Sequence, residues 1–475
     1  MKLSELLKSV SEVEVFGFFE LDVTSVTANS GECTDGSVFV AIKGARYDGC
    51  DFIREAYERG ARVFVLSEKR ALPKGSVAVY SQNTRKTLAE LLSAICGHPE
   101  KDMLFVGITG TKGKTTTSIL LSKILDGIGV KNIIVGTLGI LGMPYRKTLN
   151  TTPDPTVLFP LFKEALSQGV KVVILEVSSQ ALKDFRVYKI PFTVVAFTGI
   201  GKDHIGKSEH ASFSDYIFSK RTLFNDYGAS CAVVNFDDPY SSYISSGVEK
   251  VIKCGFSHSS DFLINKFCDS DFGSEFYVRN TKIVSSLPGE YNARNISIAL
   301  AMARQITGVS IHKASGYVSR VEIKGRFEKK KIDGKNIIID YAHNADSFRE
   351  VANLSRRIFD GNVIFVFGSV GERSFNRRRE LAMAAEKYAD FSVITSDNSG
   401  SELPLSICAD IYSKFKDKTR AKIIVERAQA ISYAISVEMP GYTVLVLGKG
   451  HENTISAYGK TFAFSDSEFV DNYRI

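Results

Sequence analysis

One twelve-residue stretch restricts the possible folds more than any other: Val106-Gly107-Ile108-Thr109-Gly110-Thr111-Lys112-Gly113-Lys114-Thr115-Thr116-Thr117. An apolar run, LFVGITG, leads into it from Leu104, and a helical pattern, Ser118–Gly127, leaves it. A strand that passes through a glycine-rich turn into a helix gathers backbone N–H groups at the helix N-terminus, where the peptide dipoles favour an anion. Gly110 and Gly113 let the backbone approach phosphate oxygens, with Thr111, Lys112 and Thr116 completing the cradle. Lys114 brings a charge to the outer phosphates, and the Thr115 hydroxyl is placed to ligate Mg²⁺. The spacing is G-x-x-G-K-T where G-x-x-x-x-G-K-T is usual, so the loop is a variant. Such loops serve ATPases, GTPases, kinases and ligases alike, so this one constrains the fold and leaves the reaction open.

The rest of the chain fits a sheet built around that loop. A length of 475 residues suggests about three domains, and the apolar runs divide accordingly into 1–98, 99–308 and 309–475. The first segment holds VFVAI (38–42) and ARVFVLS (61–67), with helical stretches Phe52–Arg59 and Thr84–Cys96, and is broken by Gly97-His98-Pro99. In the second, NIIVGT (132–137), VKVVILEV (170–177), FTVVAFT (192–198) and CAVVNF (231–236) alternate with helices, and a long amphipathic helix, Asn292–Ile306, closes the segment. Continuous apolar strands between helices indicate a parallel sheet covered on both faces. The third repeats the pattern with NIIIDYA (336–342), NVIFVFG (362–368), FSVITSD (391–397) and YTVLVLG (442–448). The fold class is therefore α/β with a central phosphate-loop sheet, and its chemistry is expected at the carboxyl ends of strands.

Composition excludes several other classes. Apolar residues make up 44% and charged residues 24%, which is neither a disordered nor a fibrous chain. No run reaches the roughly 18–20 apolar residues that span a bilayer. The first turns carry acidic residues and no cleavage-site pattern, so a cytoplasmic protein without membrane insertion is expected. Seven scattered cysteines, an odd number with no C-x-x-C pair, read as reduced thiols. A net charge of +7 suits either nucleic acid or a small polyanionic ligand, and no nucleic-acid-binding module is recognisable.

Four further positions bear on the chemistry. Glu176 ends VVILEV, where a carboxylate can hold a metal opposite Thr115. His204 follows the strand FTVVAFT, and His210 comes six residues later. Lys220 lies on a helical stretch, Tyr216–Phe224. Read locally it is a solvated lysine, because a cation beside Mg²⁺ is unfavourable.

Taken in order, GTKGKTTT (110–117), NTTPDP (150–155), EVSSQAL (176–182), FTGIGKDHI (197–205), YIFSKRTLF (216–224), VVNFDDP (233–239), PGEYNARNISIALA (288–301), GRFE (325–328), IDYAHNADS (339–347), FGSVGERS (367–374), SDNS (396–399) and GKGHE (448–452) resemble the Mur ligases. The resemblance is greatest to the branch that adds the third amino acid to the peptidoglycan precursor, and it spans nearly the whole chain. It implies a three-domain ATP-dependent amide ligase in which 1–98 holds the UDP end, 99–308 holds ATP, and a Rossmann-like 309–475 brings the incoming amino acid. A hinge near Gly308 would let the domains close around a water-labile acyl-phosphate. The partners implied are UDP-MurNAc-L-Ala-D-Glu, ATP and an amino acid, with the enzyme acting as a monomer.

The resemblance also assigns roles residue by residue. Lys220 matches a lysine that CO₂ carbamylates, which turns a cation into a carboxylate ligand for a second Mg²⁺. Ser30 matches the serine of a D-S-R stretch at the nucleotide-sugar, here Asn29-Ser30-Gly31. Thr151, Thr152, Ser178 and Arg186 match contacts to the muramoyl-peptide, while Gln180 and Asp184 depart from the family pattern. His204 and His210 are candidates for metal or phosphate contacts, and Asn292 and Asn295 match the adenine region. Arg326 and Asp340, with His343 nearby, match residues that reach ATP. Arg373, Asp397, Asn398, Ser399, Gly400, Gly448 and Glu452 match the amino-acid site. Diaminopimelate-adding members continue Asp-Asn with Pro-Arg, and this chain has Ser399-Gly400 there. Glu452 is retained for a distal ammonium. A diamino acid without strict diaminopimelate selectivity is therefore expected. A related folylpolyglutamate-type ligase and a non-catalytic nucleotide-binding relative remain the alternatives.

Overall fold

The computed structural model describes the chain except for residues 18–19, 45–46, 202–205, 207–209, 373–374, 438–440 and 474–475. It contains two compact units. One comprises Met1–Ile264 with Arg294–Tyr317, and the other comprises Asn265–Ala293 with Val318–Ile475.

The first unit holds two sheets. The N-terminal one consists of β1 (Val13–Phe16), β2 (Ser25–Thr27), β3 (Ser37–Val40), β4 (Val63–Leu66) and β5 (Val77–Ser81), in the order β1-β5-β4-β3-β2. Its strands are parallel except for β1, which runs antiparallel to β5. The central one is built on β6 (Leu104–Thr109), β7 (Asn132–Gly136), β8 (Gly139–Leu141), β9 (Val172–Glu176), β10 (Phe192–Phe197), β11 (Cys231–Asn235) and β12 (Lys250–Gly255), in the order β12-β11-β10-β6-β9-β7-β8. All neighbours are parallel but β7 and β8. Strands β6, β9 and β10 are buried almost throughout, which is why they read as unbroken apolar runs. Register pairs Thr109 with Phe197 and Ile108 with Glu176, so the phosphate loop and Glu176 leave the sheet side by side.

The second unit carries an antiparallel ribbon of β13 (Phe262–Ser270, its first residues in the other unit), β14 (Gly273–Val278) and β15 (Thr281–Ser285). The sequence reading missed this ribbon, because its strands are half exposed and lack continuous apolar runs. Beyond it lies a six-stranded sheet of β16 (Glu328–Ile332), β17 (Lys335–Asp340), β18 (Asn362–Phe367), β19 (Phe391–Ile394), β20 (Ala421–Ile423) and β21 (Tyr442–Leu447), in the order β16-β17-β21-β18-β19-β20. Only β16 is antiparallel. A hairpin, β22 (Thr454–Ala457) and β23 (Lys460–Ala463), follows. The four principal runs expected here are all strands, each one to three residues shorter at its carboxyl end where the chain turns into loops.

Candidate functional site

The phosphate loop forms as the sequence requires, with one change of boundary. The helix begins at Lys114 and runs to Gly127, four residues earlier than expected, so Lys114–Thr117 form its first turn. Gly113 is its N-cap with φ +85°, a left-handed conformation that glycine adopts without strain. A Cβ there would also lie 2.5 Å from Asn295 Oδ1, whose amide oxygen accepts from Thr117 Oγ1 at 3.4 Å. Asn295 thus supports the loop from behind. Lys114 is half-buried and folds back over the turn, its Nζ donating to the carbonyls of Gly110 (2.7 Å) and Thr111 (3.3 Å). Lys112 is exposed and Thr116 buried.

Glu176 is the hub of the site. It is 1% exposed, and its Oε2 accepts from Thr115 Oγ1 at 2.9 Å and from Thr137 Oγ1 at 2.8 Å, while Ser118 Oγ reaches Oε1 at 3.4 Å. Space for this carboxylate comes from Gly136, where a Cβ would sit 2.2 Å from Glu176 Oε1. Gly136, Thr137 and Ser118 were missed in the sequence. The available signal was a Gly-Thr pair at the carboxyl end of β7, which pairs with β9. The ligand atoms gathered here are all oxygens, buried at Thr115, Ser118 and Glu176 and half-buried at Thr137, a set that suits Mg²⁺. Among the described residues no group of three or more His, Cys, Asp or Glu that could hold a metal assembles, and hydroxyls donate to the Glu176 carboxylate.

Lys220 is not solvated. On the helix Phe213–Asn225 it is 1% exposed, its Nζ donates to Gly110 O at 3.2 Å, and it lies over the Tyr216 ring at 4.6 Å. Tyr216 OH in turn meets Thr111 Oγ1 at 2.9 Å. Two lysine ammonium groups therefore converge on the one carbonyl oxygen of Gly110. His210 is placed differently from the expectation. Its ring is buried, with Nδ1 against Asp215 at 3.1 Å and Nε2 against Ser179 Oγ at 2.9 Å, so both nitrogens serve the protein. Burial depresses its pKa below the ordinary histidine value, with Asp215 acting in the opposite sense. His204 lies outside the described residues.

The peptide-side candidates line up beside Glu176. Thr151 Oγ1 contacts Thr137 Oγ1 at 3.2 Å. Thr152 Oγ1 donates to Glu176 O at 2.8 Å and accepts from Ser178 N at 3.0 Å. Ser178 caps the short helix Ser179–Lys183 through Ala181 N. Arg186 binds Thr152 O at 3.1 Å and Asp184 at 3.1 Å, and Asp184 also accepts from Gln180. The two departures from the family pattern thus form one hydrogen-bonded set with Arg186. Ser30 is buried and donates to Glu55 Oε2 at 2.8 Å, on a turn capped by Asn29.

In the second unit, the loops after β17, β19 and β21 meet. Asn398 Nδ2 donates to Glu452 Oε2 at 2.8 Å, and the fully buried Lys449 bridges Asn398 Oδ1 (3.2 Å) and Glu452 Oε2 (2.8 Å). Ser399 N binds Ser456 O at 2.7 Å, and Gly400 O accepts from Gly459 N, so the β22–β23 hairpin pins this loop. Asp397 Oδ1 accepts from Asn398 N, and Gly448 leaves room for the other oxygen, which a Cβ would approach to 2.7 Å. Gly400 has φ +61°, and a Cβ there would meet Glu372 Oε1 at 2.7 Å. Asp340 spends its carboxylate on Phe327 N (2.6 Å) and Ala342 N (2.7 Å). Arg326 stacks over Tyr341 at 4.6 Å, and His343 Nδ1 contacts Tyr341 O at 2.8 Å. Asn292 Nδ2 binds Pro288 O at 2.7 Å in the first turn of Glu290–Thr307. Arg373 lies outside the described residues.

Three family descriptions match successive parts of this chain: the Mur ligase family catalytic domain over 22–96, the Mur ligase middle domain over 108–303, and the Mur ligase glutamate ligase domain over 325–450. The chain belongs to the Mur ligase family. It is similar to the UDP-N-acetylmuramoyl-L-alanyl-D-glutamate–2,6-diaminopimelate ligase of Aquifex aeolicus, at 35% identity over 94% of this chain and 93% of the relative. The ligase of the same name from Bacillus licheniformis is 33% identical over 98% of both. A solved structure of a ligase with that name shares the fold at a TM-score of 0.70 and 23% identity, covering 99% of this chain and 98% of the other. As a Mur ligase the chain is an ATP-dependent enzyme that forms amide bonds, and the phosphate loop, Thr115 and Glu176 already stand in contact.

Proposed function

We propose that this Mur ligase adds the third amino acid, one with a distal amine, to UDP-MurNAc-L-Ala-D-Glu in the cytoplasm, working as a monomer. The reading is carried by the convergence of Lys114, Lys220, Thr115 and Glu176 on one glycine-rich loop. The names of the full-length relatives support the choice of acceptor. Segments 1–98, 99–308 and 309–475 would serve the nucleotide-sugar, ATP and the amino acid in turn.

The peptide carboxylate attacks the γ-phosphorus of ATP, and the loop amides and Lys114 neutralise the growing charge. Thr115 and Glu176 would hold Mg²⁺, with carbamylated Lys220 at a second ion, and the metal supplies further neutralisation at the phosphates. Carbamylation also fits the electrostatics. Two ammonium groups on one carbonyl repel, and converting the Lys220 ammonium to a carbamate, by adding CO₂ with loss of two protons, reverses one of the charges. Thr151, Thr152, Ser178 and Arg186 hold the peptide, and Ser30 holds the nucleotide-sugar. Asn292, Asn295, Arg326 and Asp340 serve the nucleotide, with His204 at the phosphates. The acceptor's amine then attacks the acyl-phosphate carbonyl and phosphate leaves. Arg373, the loop Asp397–Gly400, Gly448 and Glu452 orient that acceptor.

The test is ADP release with UDP-MurNAc-dipeptide against lysine, ornithine, meso-diaminopimelate and lanthionine. Release that requires both the dipeptide and a diamino acid is expected. Release independent of the dipeptide, or none with any acceptor, overturns the reading.

A further inference from the structure

Arg427 and Asp466 lie outside every motif discussed, and both are essentially buried, at 2% and 0% side-chain exposure. Arg427 opens the helix Arg427–Ser436, and Asp466 opens the helix Asp466–Asp471. Their contact is bidentate, Nε to Oδ1 and Nη2 to Oδ2, both at 2.7 Å. The rest of the guanidinium is spent on two carbonyls: Nη2 donates to Leu447 O at 3.0 Å and Nη1 to Ser396 O at 3.2 Å. Leu447 is the last residue before Gly448–Glu452, and Ser396 the last before Asp397–Gly400. One planar group therefore clamps the roots of both loops, and Asp466 fixes that plane. The contact between Asn398 and Glu452 depends on the register of those two loops.

We propose that Arg427 and Asp466 are positioning residues for the amino-acid pocket, holding the loops 397–400 and 448–452 in register so that Asn398 and Glu452 face the acceptor's distal ammonium together. The inference rests on the ligase reading above. Neither residue touches substrate. Their effect should fall on acceptor binding and spare phosphoryl transfer, which proceeds before the acceptor reacts.

The experiment compares Arg427→Lys, Asp466→Asn and the double variant Arg427→Met/Asp466→Leu. Replacing a buried ion pair by apolar residues of similar volume is often neutral for stability, so the double variant separates folding from positioning. For each, KM is measured for L-lysine and meso-diaminopimelate, beside the KM for ATP. Positional isotope exchange in ATP with UDP-MurNAc-dipeptide, without amino acid, reports acyl-phosphate formation alone. Acceptor KM should rise about tenfold or more, because small misplacements of a binding group are costly. Isotope exchange and the ATP KM should stay near those of the unmodified enzyme. An unchanged acceptor KM in the folded double variant overturns the proposal. So does an equal loss of isotope exchange, or failure of all three variants to fold, either of which would make the pair merely structural. If the unmodified enzyme itself shows no dipeptide-dependent exchange, the ligase reading fails instead.

Discussion

The phosphate loop and the amino-acid loops solve the same problem, fixing charged groups at strand ends, by opposite means. At the phosphate loop a turn of main chain sets the frame: Gly113 starts the helix, and hydroxyls beside the ends of neighbouring strands reach Glu176. At the amino-acid loops, side-chain bonds from 398 to 452 and from 427 to 466 do it, with a main-chain bond from 399 to 456. A site set by backbone geometry is restricted to few residue types at each position. A site set by cross-linked side chains can exchange partners and so change what it accepts.

This contrast can be tested, beginning where the effect is largest. Lys114→Ala should lower ligation by about 10²-fold or more in kcat, as expected for loss of a donor to developing phosphate charge. Thermal unfolding should move by no more than about 0.5 kcal/mol, since the Lys114 Nζ donates to carbonyls of its own loop. Gly136→Ala comes next. Its Cβ would collide with the Glu176 carboxylate, so ATP turnover should fall steeply with about 1–3 kcal/mol of stability, read by ADP release and denaturant melts.

On the other side of the comparison, Gly400→Arg should leave ATP turnover intact and shift only acceptor choice. The left-handed backbone costs an L-residue about 1–2 kcal/mol, and Glu372 stands in the way. The gain for meso-diaminopimelate over L-lysine, as a kcat/KM ratio, should therefore stay under about tenfold and grow when Glu372→Ala is added. A native preference for meso-diaminopimelate above about a hundredfold would show that another group already binds the distal carboxylate.

The smallest effect is one of pH. His210 binds a proton less readily folded than unfolded, because burial disfavours the charged ring. Its contribution to stability is complete above the ordinary histidine pKa and is lost as pH falls through the lower folded value. His210→Gln should flatten the acid side of a melting-temperature profile, and an unaltered slope would contradict this.

Legibility followed the same division. Gly110–Thr116, Glu176 and the strands around them could be read locally, because each is a short pattern with one physical cause. Lys220 could not: a lone lysine on a helix looks solvated until the fold buries it against Gly110. His210 seemed available by sequence proximity, yet Asp215 and Ser179 engage it. Gly136, Lys449, Arg427 and Asp466 matter chiefly through partners tens of residues away, or through a space that must stay empty, and no spacing rule announces either. The ribbon 262–285 was missed because half-exposed strands carry no continuous apolar signal.

Gly325 offers a practical use of the second unit's construction. A Cβ at Gly325 would fall 2.1 Å from His451 N, one at Gly450 would fall 2.9 Å from Gly325 O, and Tyr341 N bonds that same oxygen at 2.9 Å. Three segments of main chain thus share a tight seam, with the Tyr341 Cβ packed against Gly450. Such a seam transmits displacement as a rigid lever does. A fluorophore attached at the exposed Lys324, just outside the seam, should therefore register amino-acid binding at Glu452 optically, giving an acceptor-binding assay that needs neither ATP nor turnover.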